Sequence, residues 1–156
     1  MSPEGIAQLK RHEGFRSHPY YCSEGVLTIG YGYSLSANPL RLSEHDLQAM
    51  KTLGVSQVRA EQLLKSIVAN DTKELYQRIP WIIRLNEARQ AVLINMSFNL
   101  GIPGLMKFKR TLGLIEHGDF DNAGDAMLQS KWAKQVKGRA VELAEQMRTG
   151  MFSGTP

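Results

Sequence analysis

The apolar positions of the chain follow two periods. Ile6 and Leu9 stand three apart and Glu13 completes an i, i+3, i+7 face, so a short helix is predicted, with one acid in line with its apolar stripe. Ser2 and Pro3 suit its start and Gly14 its stop. The period then changes to two. Val26-Leu27-Thr28-Ile29 reads as a strand after a Ser23-Glu24-Gly25 hairpin turn. Thr28, Gly30 and Gly32 alternate, which predicts one strand face open to a close ligand. The polar run Ser34 to Leu42 leaves the sheet.

Helical spacing then holds to the end. Ser43-x-x-Asp46 opens a short helix that Gly54 ends. Ser56 caps a longer one from Gln57 to about Arg78, with Leu63, Leu64, Ile67, Val68 and Leu75 recurring, until Pro80. Unbroken, it would span about 33 Å; the alternative is a break near Asn70-Asp71. Trp81-Ile82-Ile83 reads as core. Asn86 caps Glu87 to Leu100, which is apolar nearly all round and so predicted to be buried on most sides. After the Pro103-Gly104 turn, Phe108 and Leu112 begin a short helical pair ending at Gly118. Asp119 caps Phe120 to Gln129, and Ala140, Leu143, Ala144 and Met147 stripe a last helix before Gly150. Trp132 is expected in the core, and Met151 to Pro156 as a frayed tail.

Composition narrows the chemistry. Nineteen basic against 15 acidic residues give +4, which suits an acidic partner such as nucleic acid, anionic lipid or the carboxylate-bearing bacterial wall. No basic stripe singles out nucleic acid. One cysteine excludes an internal disulfide and a Cys-based zinc site, and the four histidines show no ligand spacing, so no metal and no cofactor are expected. No run approaches a membrane span or a signal core. The expectation is a soluble chain made in the cytoplasm, without stable membrane insertion.

Glu13 is the first candidate for chemistry. Desolvation and the negative helix end both push such a carboxyl toward its neutral form, the form a general acid needs. Eight residues on comes Cys22, and five further Thr28. Alone, Glu13 reads as a solvated acid and Cys22 as a small buried hydrophobe. Together, E-x8-C-x5-T followed by Ile29-Gly-Tyr-Gly32 resembles the catalytic motif of the phage-type lysozymes, glycoside hydrolase family 24, whose pattern is E-x8-(D/C)-x5-T with a T-I-G-x-G strand. Tyr20, Glu24 and Gly25 also match. So do Arg89, Ala91, Ile94-Asn95-Met96, Phe98 and Gly101, and the Trp132-x-x-Gln135-x-x-x-Arg139-Ala140 segment.

The resemblance implies a single α+β domain over 1–156. A small lobe with a short antiparallel sheet, about 13–60, would be joined by the long helix, about 57–78, to a larger helical lobe, about 80–150, which also takes helix 3–13. It implies a monomeric endolysin that hydrolyses the β-1,4 bond between N-acetylmuramic acid and N-acetylglucosamine in peptidoglycan. Such an enzyme waits in the host cytoplasm until a separate membrane-permeabilising protein admits it to the periplasmic wall. Glu13 would be the acid, with Cys22 and Thr28 positioning or activating water. The family usually has Asp at Cys22, and a thiol near its ordinary pKa is mostly protonated at neutral pH. Inversion would set the acid and the water-holding pair about 6.5 to 9.5 Å apart. Arg139 would pair with the acid, although Lys137-Gly138 replaces the family's Pro-Asn before it. Ser34, Phe98, Asn99 and Thr111 fall where the family contacts saccharide or peptide. Tyr33, where His is common, would stack on sugar or pack on the hairpin, and Ala126 has no side-chain hydrogen bond to offer. The rival readings are a lytic transglycosylase, which needs no water-holding group, a catalytically weakened wall-binding module, and a basic nucleic-acid binder.

Overall fold

Gly14 ends the first helix, α1 (Pro3–Glu13), by taking φ +69, a conformation cheap only for glycine, and its amide closes on the Lys10 carbonyl at 2.9 Å. Glu13 is therefore the last residue of the helix, as the spacing predicts. The structure, a computed structural model, describes residues 1–152; the expected tail lies outside the described residues from position 153 on. Two compact units divide the chain. One is Ile6–Asn70; the other is Met1–Gly5 together with the chain from Asp71 on.

The first unit holds the sheet. Strands β1 (Arg16–Tyr21), β2 (Leu27–Gly30) and β3 (Tyr33–Ser34) pair antiparallel in the order β1-β2-β3. Tyr20 lies opposite Thr28 and Thr28 opposite Ser34, so the three side chains form one cross-strand row. The predicted turn closes the first hairpin, with the Cys22 amide on the Val26 carbonyl at 3.0 Å and the Gly25 amide on the Cys22 carbonyl at 2.8 Å. Helix α2 (Glu44–Leu53) starts at Ser43, whose hydroxyl accepts from the Asp46 amide, and packs on β1. Val55 donates to the Ser17 carbonyl, tying the following turn to that strand.

Helix α3 (Gln57–Arg78) runs unbroken through Asn70-Asp71, so the single-helix reading holds. Ala60, Leu63, Leu64 and Val68 are its buried face in the first unit, together with Leu9, Ile29, Tyr33 and Met50. The open strand face expected from the alternation of Thr28, Gly30 and Gly32 does not form. Gly30 and Gly32 both have positive φ, and β2 stops at Gly30 in a turn. A Cβ on Gly30 would meet the Ala60 Cβ at 3.0 Å, so this glycine admits α3 rather than a ligand. Tyr33 is buried, its hydroxyl donating to Asn38 Oδ1 at 2.6 Å, so it packs on the hairpin and is not available to a sugar.

The second unit is built on α4 (Glu87–Leu100), where every residue from Ala91 to Ser97 is buried. Asn86 caps it by accepting from the Arg89 amide at 3.0 Å. Around it lie α5 (Ile102–Met106), α6 (Lys109–Glu116), α7 (Phe120–Leu128), α8 (Lys131–Val136) and α9 (Gly138–Thr149), with α9 packed on both α4 and α7. The α9 stripe Ala140, Leu143, Ala144 and Met147 is fully buried. Arg89 secures the end of α9: its guanidinium donates to the Met147 and Arg148 carbonyls at 2.7 and 2.8 Å and lies over the Phe120 ring. Of Trp81-Ile82-Ile83, only Ile82 is core; Ile83 is exposed, because the tight 3-10 turn Pro80–Arg84 carries the two side chains to different sides. Among the described residues no helix is long and apolar enough to cross a membrane, and no group of three His, Cys, Asp or Glu could hold a metal.

Candidate active site

Glu13 does not point into open solvent. Its Oε2 is buried, and its carboxyl lies against Gly32 at the second hairpin turn. A Cβ built on Gly32 would stand 3.1 Å from the Glu13 Cδ and closer still to Oε1. Gly32 also has φ +76, so both its backbone and the space beside it exclude a side chain. The helix end delivers the acid, and the glycine turn receives it.

The thiol belongs to the same unit. Cys22 follows β1 directly, is half-buried, and stands at the mouth of the first hairpin turn. Burial pushes its thiol up, but the Val26 and Glu24 backbone amides and the Thr28 hydroxyl together outweigh burial and hold it below its ordinary value. Thr28 has one hydroxyl hydrogen. In the structure that hydrogen goes to the Val26 carbonyl at 2.8 Å, so turning it onto the sulfur is the motion that favours the thiolate. Thr28 is only 4% exposed, which leaves Cys22 as the member of the pair that reaches solvent.

Tyr20 lies in the field of both acid and thiol. Its phenol is raised above the ordinary value by burial first, then by the charges of Glu13 and Cys22, against the Arg16 guanidinium that lies 4.6 Å over its ring. One phenol thus feels both groups. Nothing in the spacing alone assigns Tyr20 or Gly32 this part; the signal for each is only its match to the family pattern.

The remaining candidates divide. Ser34 stands in the Tyr20–Thr28 row, and its hydroxyl accepts from the Ala37 amide at 3.0 Å. In the second unit, Arg139 donates through Nε and Nη2 to Asn95 Oδ1 at 3.0 and 2.9 Å, so the buried Asn95 orients this cation. Lys137, just before it, takes φ +49, a strained value for a residue with a Cβ. Asn99 is exposed and accepts from the Trp132 indole at 2.7 Å, while Phe98 beside it is half-buried. Thr111 is 4% exposed and lines a pocket of about 550 Å³ between α6 and α8, with Trp132 and Phe108 at its apolar side. The structure therefore gathers Glu13, Cys22, Thr28 and Ser34 in one unit. Asn99 and Thr111 flank Trp132 in the other.

Comparison with known proteins decides the family. The family described as phage lysozyme matches residues 10–149. The chain belongs to the phage lysozyme family. It is 30% identical over 155 residues to the pre-baseplate central spike protein Gp5 of Enterobacteria phage T4, covering 91% of this chain but 27% of that protein's length. It is 27% identical to "Probable T4-type lysozyme 2" of Dictyostelium discoideum, covering 91% of this chain and 92% of that one. An "Endolysin" of Acyrthosiphon pisum secondary endosymbiont phage 1 is 26% identical over 92% of this chain and 87% of its own. The α+β architecture, helical with one small antiparallel sheet near the N-terminus, is that of the family expected from the sequence.

Proposed function

We propose that this chain is a muramidase that hydrolyses the β-1,4 bond between N-acetylmuramic acid and N-acetylglucosamine in peptidoglycan. The observation that carries the reading is the Glu13 carboxyl seated against Gly32, with Cys22 on the hairpin of the same unit and Tyr20 sensing both. Glu13 protonates the leaving oxygen as the sugar–oxygen bond breaks, and water attacks the anomeric carbon. Cys22 directs or deprotonates that water, and Thr28 acts through Cys22 by holding the sulfur's charge. Ser34, Phe98, Asn99 and Thr111 contact the polymer. Arg139, oriented by Asn95, is the cation assigned to the acid. The 1–156 stretch works as one lysozyme-like domain and needs no cofactor. As a monomeric endolysin, it waits in the host cytoplasm until a separate protein opens the membrane.

Clearing of permeabilised Gram-negative cells tests the acid. Wild type clears the suspension and Glu13→Gln does not; clearing by the variant would remove Glu13 from the scheme. A second reading, lytic transglycosylation, is favoured by one observation. The Thr28 hydroxyl is already spent on the Val26 carbonyl and is nearly closed to solvent. Hydrolysis leaves reducing muramic ends and transglycosylation leaves anhydro ends, so product analysis separates the two.

A further inference from the structure

The turn that seats Glu13 is made mostly of glycine, and one side chain holds it. The β2–β3 ladder closes at the Ile29–Tyr33 pair, so Gly30, Tyr31 and Gly32 form the tip between the strands. Gly30 and Gly32 have positive φ and no side chain with which to pack. Tyr31 is the tip's one side-chain anchor, and it is only 7% exposed. Its ring is gripped twice. The Phe15 ring lies 5.5 Å away between centroids, tilted by 54°, and the Lys10 ammonium lies 5.5 Å from the Tyr31 centroid. Lys10 is itself held by Glu61 of α3, which also pairs with Lys65 at 3.3 Å. All of these residues belong to the first unit.

The two partners of the ring bracket the acid in sequence. Lys10 stands nearly one helical turn before Glu13 on α1, and Phe15 follows just after Gly14. The segment that carries the carboxyl therefore also grips the turn that receives it. We infer that Tyr31 is a positioning residue for Glu13: through Phe15 and Lys10 it locks the Gly32 turn to the acid-bearing segment and so fixes where the carboxyl stands. The inference rests on Glu13 being the acid of the proposed hydrolysis. Glycine at 30 and 32 leaves room for Ala60 and for the carboxyl, but it also frees the backbone to move. The clamp on Tyr31 restores the order that the glycines remove. A general acid must hold its proton within hydrogen-bond reach of the leaving oxygen, and small displacements there are felt in the rate. Tyr31 is buried, so it acts through Gly32 and not on the glycan.

Soluble, uncrosslinked glycan strands test the role, because they allow kcat and KM to be separated. Tyr31→Leu should lower kcat by about ten- to hundredfold, the scale of a small misplacement of a reacting group, and leave KM within about twofold. Tyr31→Phe keeps the ring and both of its contacts, and should hold kcat within about twofold of wild type. Lys10→Met, at a half-buried position outside the core, should lower kcat about two- to fivefold, the scale of one exposed cation–π contact. Lys51→Met removes an exposed charge from α2 and should leave kcat unchanged. A further readout needs no activity: Tyr31→Leu should lower the NMR order parameter of the Gly32 amide from about 0.85 to below about 0.6. A loss confined to stability or to KM in Tyr31→Leu overturns the inference, as does a Tyr31→Phe protein no better than Tyr31→Leu. Should Tyr31→Leu fail to fold, Lys10→Met decides, and wild-type kcat there overturns the inference. So does a Lys51→Met protein that loses as much as Lys10→Met. If wild type releases no fragments, the hydrolase reading fails on its own account. The clamp is then judged by the Gly32 amide, and an amide that stays rigid in Tyr31→Leu overturns it.

Discussion

The Glu13 hairpin and helix α4 are built by opposite means. From Ala91 to Ser97, α4 is buried without interruption, and its apolar side chains are held by volume. The hairpin around Glu13 is held by what is missing: Gly30 makes room for Ala60, and Gly32 makes room for the acid. At the apolar positions of α4 the sequence can vary as long as space is filled. In the hairpin one added methyl group at Gly32 lands on the Glu13 carboxyl. A site that must seat a charged group beside a backbone turn is cheaper to make by removing side chains than by packing them.

This contrast can be broken from the α4 side first. Leu93 is fully buried. Leu93→Ala should cost about 2–5 kcal/mol of stability, the range for a cavity that the surroundings only partly fill. Activity per folded molecule should stay near wild type, since Leu93 lies in the packed interior and offers nothing to a substrate. Urea unfolding and cell clearing, normalised to the folded fraction, check both halves. A folded Leu93→Ala protein without activity would show that the hub does more than fill volume.

Gly32→Ala should give the reverse pattern. The positive φ and the displaced carboxyl cost on the order of 1–3 kcal/mol, less than the α4 cavity at its upper end. Clearing, however, should drop to the level of Glu13→Gln, because the methyl group occupies the seat of the acid. Full clearing by Gly32→Ala would mean that the carboxyl works from another position. The two substitutions together separate what keeps the chain folded from what keeps the acid placed.

The same contrast explains what the sequence made legible. The apolar period located α3, α4 and the α9 stripe, since burial is written directly into residue type. Caps at Ser43, Asn86 and Asp119 were legible because each is a local hydrogen bond between a side chain and an amide three residues on. The glycines misled. Alternation suggested one open strand face, but a positive φ at Gly30 ends the strand, and alternation has no meaning through a turn. Tyr33 stayed ambiguous and Ile83 was misread as core for a related reason: a short segment does not state which way it twists. The motif spacing named Glu13, Cys22 and Thr28 together, yet Thr28's burial and the pocket between α6 and α8 depend on neighbours far apart in sequence. Lys107 and Lys131, which both line that pocket, are separated by two helices, and no local pattern marks them as one wall.

The smallest expected effect concerns the thiol, and it tests whether the hairpin tunes Cys22 as well as seating Glu13. The Cys22 thiol is held below its ordinary value by the Val26 and Glu24 amides and the Thr28 hydroxyl, against burial. For an acid whose folded value is depressed, the linked stability is fully present above the unfolded value and is lost as pH falls through the folded one. Raising pH through that window should therefore stabilise wild type slightly, and more than it stabilises Cys22→Ser. Alkylation by iodoacetamide follows the thiolate, so its rate should reach half-maximum below the pH found for an unstructured cysteine peptide. Thr28→Val keeps the side-chain shape and removes the hydroxyl, so the midpoint should move up toward the peptide's. An unmoved midpoint would leave the two backbone amides as the whole cause. Thr28 would then serve the Val26 carbonyl alone, and the water-directing part of the scheme would rest on Cys22 without it.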